Sequence, residues 1–352
     1  MTRPKRVGVL TFHRCINYGS YWQARRLVEG LRARGHDAQL LDHRSPRVDR
    51  AEWRCALSPH LPAPTPAEDR RAYADKTRAF FDAFGRLPMS KPFDLKAPAR
   101  MDRQDIVVVG SDEVWNLRHP WYGGEPVFFG QGLNADRIAA YAASVGNHGD
   151  AGLDDGLASL LRGFAHISVR DENARRLARG ALGLEAPRVL DPCLQFAPPR
   201  AASASSGEVI VYGHGFPAWL QRALSAWAGR RGRRLLSFGY RNAWADAQTL
   251  DAGPEAFAEA MASASGIVTN FFHGCVFALA ERKPFVCVGT PYRADKIGDL
   301  LTSLGAEDRL IGDDASPDRI DHLMTTPPEP IVEARIAALR ARSDAFLDTA
   351  LA

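Results

Sequence analysis

The sequence predicts an α/β protein made of two Rossmann-like domains with a cleft between them. Strand-like apolar runs alternate with helical segments at the start of the chain, and the same alternation returns in the second half. A length of 352 residues fits two domains of roughly 150 residues each. We therefore expect an N-terminal domain over residues 1–196, a linker rich in Pro, Ala and Ser over 197–207, a C-terminal domain over 208–329, and a final helix over 330–352.

The elements of these domains can be assigned in order along the chain. Compact apolar runs predict strands, whereas apolar residues three or four apart predict helices. The predicted strands are residues 7–12, 38–42, 105–109, 138–144, 166–169, 189–191, 209–212, 235–238, 266–269 and 285–288. The predicted helices are residues 21–34, 67–84, 217–228, 254–264, 272–281, 295–304 and 330–351. Residues 59–66 are dense in proline and are expected to be irregular.

Composition and charge exclude several classes of protein. The 45 basic residues are interleaved with 41 acidic ones, which gives a net charge of +4 and no basic stripe for nucleic acid. A short basic group at residues 230–234 fits a solvated helix end better than a polyanion site. The five cysteines contain no CxxC pair, which predicts reduced thiols in a cytoplasmic protein without a metal site. No apolar run approaches the ~20 residues of a membrane span, while contact with an acidic membrane surface stays open.

Polar loops follow two strands of the predicted N-terminal sheet. Ligands of doubly wound sheets bind at the carboxyl ends of strands, so these loops are candidate sites. In residues 13–19, Asn17 and Gly19 can adopt the backbone angles of a tight turn, although the loop could equally be a plain connection. In residues 110–116, Ser111 and Asp112 are expected to face the cleft and Trp115 to offer a flat surface for a sugar ring. A role of Asp112 as a helix N-cap is an equal alternative.

A third polar loop, residues 269–274, enters a helix in the C-terminal domain. His273 is expected near the helix N-terminus, beside backbone N–H groups that could hold a phosphate. Arg293 and Lys296 in the next such loop, and Arg170 at the end of strand 166–169, are candidate cations for the same anion. Cys275 is expected to pack in the core rather than to act as a nucleophile, and residues 213–215 to form a plain turn.

Together these loops resemble the polysaccharide pyruvyl transferase family. Five groups of segments occur in the expected order and span most of the chain from Val7 to about Leu304. They are Ile16-Asn17-Tyr18-Gly19; Leu87-Pro88-Met89-Ser90; Val109 to Asn116 with Tyr141 to Gly146; Ile167 to Glu172 with Val189-Leu190-Asp191-Pro192; and Thr269 to Gly274 with Lys283-Pro284-Phe285. The chain differs from the usual family residues at Glu113, Asn270, Phe271 and Cys275.

The resemblance implies a GT-B-like fold and a transferase that uses phosphoenolpyruvate as co-substrate, without a further cofactor. Family members attach pyruvate as a ketal to a sugar or a lipid-linked oligosaccharide, a step of exopolysaccharide biosynthesis. By match to the family, Arg170, His273 and Lys296 would bind the donor, and His273 would be catalytic. Asn270, Gly274 and Arg293 are further donor-binding candidates, and Asp112 is a further catalytic candidate. The acceptor-binding candidates are Asn17, Tyr18, Gly19, Ser111, Asp112, Glu113, Trp115 and Asn116.

Two other functions fit the same sequence. A GT-B glycosyltransferase that uses a nucleotide sugar would share the two domains, and Glu255 or Glu259 could then bind ribose hydroxyls. A non-catalytic relative of the family is the second alternative, supported by the changes at Asn270 and Phe271. Retention of Arg170, His273 and Lys296 favours the enzyme, because a site without catalysis has no need of a cationic cluster.

Overall fold

The chain divides into two compact units in a computed structural model that describes residues 3–60, 63–146, 152–200, 205–290 and 294–352. The first unit consists of Met1–Glu52, Arg86–Ala197 and Ala337–Ala352. The second consists of Trp53–Gly85 and Pro198–Ile336. Neither unit is a single continuous stretch of the sequence.

The first unit contains a parallel sheet with strand order β2-β1-β5-β6-β7. Its strands, with the short parallel pair β3-β4, are β1 (Arg6–Leu10), β2 (Asp37–Leu40), β3 (His43–Arg44), β4 (Phe93–Asp94), β5 (Gln104–Val109), β6 (Ala135–Ala143) and β7 (His166–Val169). Its helices are α1 (Tyr18–Ala33), α4 (Asp155–Arg162), α5 (Glu172–Leu182) and α6 (Pro192–Gln195). Helices α2 (Pro46–Leu57) and α12 (Pro330–Leu351) each continue from one unit into the other.

The second unit repeats this architecture with strand order β10-β9-β8-β11-β12. Its strands are β8 (Glu208–Tyr212), β9 (Arg234–Phe238), β10 (Ala247–Thr249), β11 (Gly266–Thr269) and β12 (Phe285–Cys287), all paired in parallel. Its helices are α3 (Arg70–Phe84), α7 (Ala218–Arg231), α8 (Pro254–Ser263), α9 (Phe272–Ala280), α10 (Ala294–Leu304) and α11 (Pro317–Thr325). Buried residues of β8, β11, α7 and α11 form its core.

The strand order of each sheet reverses at one point, and that point positions the candidate sites. In the first unit β1 pairs with β5, where Leu10 lies opposite Val109. In the second unit β8 pairs with β11, where Tyr212 lies opposite Thr269. In doubly wound sheets, ligands bind outside the carboxyl ends of the strands at such a point, so the loops that follow these four strands are the candidate sites.

Most predicted strands are present, and the predicted fold class of two Rossmann-like domains is confirmed. Residues 166–169 and 266–269 form strands with the predicted bounds. The prediction of a strand at 189–191 is wrong, because only an isolated bridge from Arg188 to Val169 and then helix α6 occur there. Helices α2, α4, α5 and α11 and strand β10 were not predicted.

The two units differ from the predicted domain boundaries in two segments. Residues 53–85 belong to the second unit and residues 337–352 to the first, whereas the prediction keeps 1–196 together and sets the final helix apart. Within the predicted linker, residues 201–204 lie outside the described residues. Among the helices that are described, none is both long and apolar enough to cross a membrane.

Candidate functional site

The turn after β5 has an unusual backbone that its neighbours require. Gly110 has φ +128°, and a Cβ there would lie 2.4 Å from the Tyr141 carbonyl oxygen. Ser111 follows with φ +82°, a conformation that costs an L-residue about 1–3 kcal/mol. The buried Ser111 Oγ donates to Gln23 Oε1 (2.6 Å), and the Ser111 carbonyl accepts from Arg170 Nη1 (2.8 Å). These hydrogen bonds hold the turn at the switch point of the first sheet.

Asp112 links the turn after β5 to the first turn of helix α1. Its Oδ2 accepts from Ser20 Oγ at 2.8 Å, and its Oδ1 accepts from the Glu113 backbone N–H at 2.8 Å. Residues 111–115 form bends and a turn and no helix follows directly, so the alternative of Asp112 as the N-cap of a following helix is wrong. Asp112 is 9% exposed, and its carboxylate is held by one group from helix α1 and one from its own turn.

Asn17 begins helix α1 in an ordinary conformation. Its φ of −140° is extended, and its side chain accepts from the Ser20 N–H at 3.1 Å as an N-cap. Tyr18 and Gly19 are the first helical residues, and both are buried. The predicted tight turn at Asn17 and Gly19 is therefore wrong, and Tyr18 has too little exposed surface to contact an acceptor.

Trp115 does not offer the predicted surface for a sugar ring. It is 1% exposed, its Nε1 donates to the Phe128 carbonyl at 2.9 Å, and its ring packs on Phe129 with centroids 6.4 Å apart. The indole is part of the hydrophobic core of the first unit, which corrects the prediction. Asn116 is also buried, and its Nδ2 donates to Glu113 Oε2 at 2.8 Å.

A buried polar cluster beside the loop after β1 was not predicted. Asp42 accepts from Arg14 Nε at 2.6 Å, and His13 Nε2 lies 3.0 Å from the same carboxylate. Burial alone would raise the pKa of Asp42, but its hydrogen bonds from His13 and Arg14 outweigh this effect and lower that pKa. Burial, with the neighbouring His13, lowers the pKa of His43 to about 3. The sequence signal that could have indicated this cluster is the position of Asp42 at the end of a predicted strand.

Glu52 supports the same loop from helix α2. Its Oε1 accepts from the Ile16 N–H at 2.6 Å, and its buried Oε2 has no hydrogen-bond partner in the described part of the chain. Burial raises the pKa of Glu52 to about 7, against the lowering effect of the Ile16 hydrogen bond. Burial also raises the pKa of the Cys15 thiol, and the charges of Glu52 and Asp112 add to this effect.

Arg170, a predicted donor-binding residue, is buried in the first unit. Its Nη1 contacts Asp191 Oδ2 at 2.9 Å, and the two side chains are 4% and 0% exposed. Desolvation would lower the pKa of Arg170, but the charges of Asp191, Asp112 and Asp171 raise it. The guanidinium therefore stays charged, and its hydrogen bond to Ser111 connects it to the strained turn.

The loops after β8 and β11 form the switch point of the second unit. Asn270 Nδ2 donates to the His214 carbonyl at 2.7 Å. Gly213 has φ +151°, and a Cβ there would lie 2.2 Å from Asn270 Oδ1. Thr269 Oγ1 donates to the Tyr212 carbonyl at 2.7 Å and accepts from the Phe271 N–H at 3.0 Å. Residues 213–215 are therefore a turn, as predicted, and one that shares its hydrogen bonds with the Asn270 loop.

His273 is the second residue of α9, which agrees with its predicted place near a helix N-terminus. Its half-buried ring lies edge-on to Phe272 with centroids 5.3 Å apart. The next residue must be Gly274, because a Cβ there would lie 2.0 Å from Thr269 Oγ1. Cys275 is fully buried in α9, which confirms its predicted core position. Lys296 is buried in α10, and Arg293 lies outside the described residues.

Sequence comparison identifies the family of the chain. A profile of the polysaccharide pyruvyl transferase family matches residues 17–291, more than three quarters of the chain. The chain belongs to this family. The match includes Asp112, Arg170 and His273 and ends shortly before Lys296. Membership of the pyruvyl transferase family identifies the chain as a transferase. No curated protein sequence matches the chain.

Solved structures are similar to this pyruvyl transferase family member in fold. AviGT4, a glycosyltransferase involved in avilamycin A biosynthesis, is 15% identical, with coverage of 99% of this chain and 97% of that one and a TM-score of 0.51. The glycotransferase of kitacinnamycin is 12% identical over 98% and 96% of the two chains, with a TM-score of 0.47. UDP-GlcNAc 2-epimerase of Methanocaldococcus jannaschii is 11% identical over 96% and 99%, with a TM-score of 0.45. The likeness to AviGT4 shows that this chain has a GT-B-like fold.

Proposed function

We propose that this chain transfers the pyruvyl unit of phosphoenolpyruvate to hydroxyl groups of a sugar or glycan-lipid acceptor as a ketal and releases phosphate. The observation that carries the proposal is the position of His273, at the second residue of α9 and directly after β11, in a chain of the pyruvyl transferase family. The first N–H groups of a helix attract anions, and the donor carries both a phosphate and a carboxylate.

The reaction needs a proton for the methylene carbon of the donor. In the proposed first step, protonated His273 gives its proton to this carbon, which becomes a methyl group. An acceptor oxygen bonds to the neighbouring carbon, and its proton passes to a base, for which we propose Asp112. The bond to phosphate then breaks, and phosphate leaves with the electron pair. The second hydroxyl closes the ketal, and its proton goes to the phosphate, while solvent returns the proton of Asp112 to His273.

The resemblance assigns Arg170 and Lys296 to the anionic groups of the donor, and we retain these roles as proposals. Cations stabilise the charge that develops on a departing phosphate. Burial beside Asp191 supports a charged Arg170 with a fixed orientation. Exopolysaccharide biosynthesis in the cytoplasm is the setting we propose, and the cysteines, none of which forms a disulfide, support a reducing compartment.

Calorimetric titration of phosphoenolpyruvate tests the proposal, with His273→Ala as the site variant. His322→Ala is the matched control, because His322 is an exposed histidine on α11. We expect the wild type and the control to bind the donor, and His273→Ala to lose at least about tenfold in affinity. In phosphate release with a sugar acceptor, loss of the general acid should cost about 10²–10⁴-fold.

Other outcomes of the same assay separate the competing functions. Near-normal phosphate release by His273→Ala would contradict the proposed role of His273. Binding of UDP-sugars in place of phosphoenolpyruvate would favour the nucleotide-sugar glycosyltransferase. Donor binding without phosphate release for any acceptor would favour the non-catalytic relative.

A further inference from the structure

The second unit contains a pocket of about 490 Å³ beside the turn that follows β8. Gly215 and Phe216 of this turn line it, together with Tyr73 of α3 and residues 241–244, which lie between β9 and β10. The volume is in the range of about 300–1,000 Å³ that is typical of small-molecule sites. The function proposed above leaves this pocket without an assigned ligand.

Three aromatic rings line the pocket. Tyr73 and Phe216 are buried, and Phe216 packs edge-on against Trp244 with ring centroids 5.8 Å apart. The Trp244 Nε1 is buried and has no hydrogen-bond partner within the described ranges of the chain. A buried indole N–H usually has an acceptor, so this donor suits a ligand oxygen.

The polar groups of the pocket favour a neutral ligand. Arg241 is paired with Asp69 through both carboxylate oxygens, so its charge is already balanced. Gln221 and Asn242 also line the pocket, and their side-chain amides are neutral. Gln221 Nε2 donates to the Phe216 carbonyl at 2.7 Å and Asn242 Nδ2 to the Gly213 carbonyl at 2.9 Å, which fixes both orientations. A phosphate would require an unbalanced cation.

We propose that this pocket binds a sugar ring of the acceptor glycan. The C–H faces of a sugar pack on aromatic rings, and its hydroxyls pair with amide groups and an indole N–H. The proposal rests on the proposed function, because it assigns the pocket to the acceptor of that reaction. The turn at residues 213–216 borders the pocket and also accepts the hydrogen bond of Asn270, so the pocket adjoins the His273 loop within one unit.

Saturation-transfer NMR on the full chain tests the proposal, with lactose, cellobiose and maltose as neutral probes and UMP as the nucleotide probe. The site variants are Trp244→Ala and Gln221→Ala. Trp219→Ala is the matched control, because Trp219 is half-buried against the same core but does not line the pocket. We expect a disaccharide to bind the wild type and Trp219→Ala, and Trp244→Ala to weaken binding about tenfold.

Gln221→Ala keeps the test decisive if Trp244→Ala fails to fold, since Gln221 is half-buried on a helix where Ala is favourable. Binding of no disaccharide, equal binding by both site variants, or binding of UMP alone would each overturn the assignment. Titration of phosphoenolpyruvate into the same proteins separates the two proposals. Disaccharide binding without phosphoenolpyruvate binding would refute the proposed function but support a sugar site in this pocket. Phosphoenolpyruvate binding without disaccharide binding would refute the sugar site alone.

Discussion

Glu52 is buried against the loop after β1, and this burial raises its pKa to about 7. A folded-state pKa above the unfolded value means that the native state prefers the protonated acid. The contribution of Glu52 to stability is therefore fully present below about pH 4.5 and is lost as pH rises through about 7. The shift corresponds to about 3 kcal/mol, because each unit of pKa equals about 1.4 kcal/mol.

Glu52→Gln should remove this pH dependence while its side-chain oxygen still accepts from the Ile16 N–H. We expect the variant to be more stable than the wild type by up to about 3 kcal/mol above pH 7, and the difference to shrink below pH 5. Urea unfolding across pH 4–9 measures this, with the exposed Glu307→Gln as control. A variant that is less stable than the wild type at pH 8 would contradict the expectation.

Single residues were predictable where a local motif determines their position. His273 could be placed at a helix N-terminus because the strand before it and the helix after it are both evident from apolar patterns. Trp115 could not be placed, because an aromatic residue in a turn can face solvent or the core, and only the packing of Phe128 and Phe129 decides between them. The cluster of Asp42 with His13 likewise depends on contacts between residues 29 positions apart.

At the scale of elements, the turn after β5 is the most constrained connection of the candidate site. Gly110→Ala would place a Cβ against the Tyr141 carbonyl at a φ that L-residues rarely adopt. We expect a loss of about 3 kcal/mol or more in the free energy of unfolding. Gly180→Ala is the control, because a Cβ there meets nothing within 4 Å inside helix α5. It should be neutral or stabilise by up to about 1 kcal/mol, and urea unfolding compares the two.

Strands were easier to predict than helices for a physical reason. Parallel strands buried on both faces are continuous apolar runs, as in β5 and β11, and their signal is local. Helix α5 buries only Ala174, Leu177 and Ala178, and five of its eleven residues are charged or polar, so its apolar face is narrow. Helix α4 similarly buries Ala158 and Leu161. Such helices depend on tertiary packing, which a local pattern does not contain.

At the scale of the whole molecule, the end of the chain completes the first unit. Arg34, the residue that follows α1, bonds Asp344 at 2.7 Å, and the Leu190 N–H donates to the buried Ser343 Oγ at 2.9 Å. Leu347 and Leu351 are buried on the same part of α12. These contacts join residues more than 150 positions apart, which explains why the sequence suggested a separate final helix.

Leu347→Ala should therefore destabilise the first unit although it lies only five residues before Ala352. Truncation of a buried leucine costs about 2–5 kcal/mol. Hydrogen exchange should quicken in β1 and β5 more than in β8 and β11. Ile331→Ala on the same helix is the control, since Ile331 is 52% exposed and should change stability by less than about 0.5 kcal/mol. Equal exchange in both sheets after Leu347→Ala would contradict the assignment of this helix.

The interleaved order of the segments has a consequence for how the protein is made. The ribosome delivers Trp53–Gly85 long before Pro198–Ile336, the rest of the unit to which it belongs. It delivers Ala337–Ala352, which complete the first unit, after both of these segments. Apolar surface of α3 and of the first sheet therefore stays uncovered during translation until the later segments of each unit are made. Exposed apolar surface of this kind makes nascent chains aggregate or recruit chaperones. Native folding of the second unit can end only after Ile336 has been synthesised, and native folding of the first unit only after residues 337–352 have been.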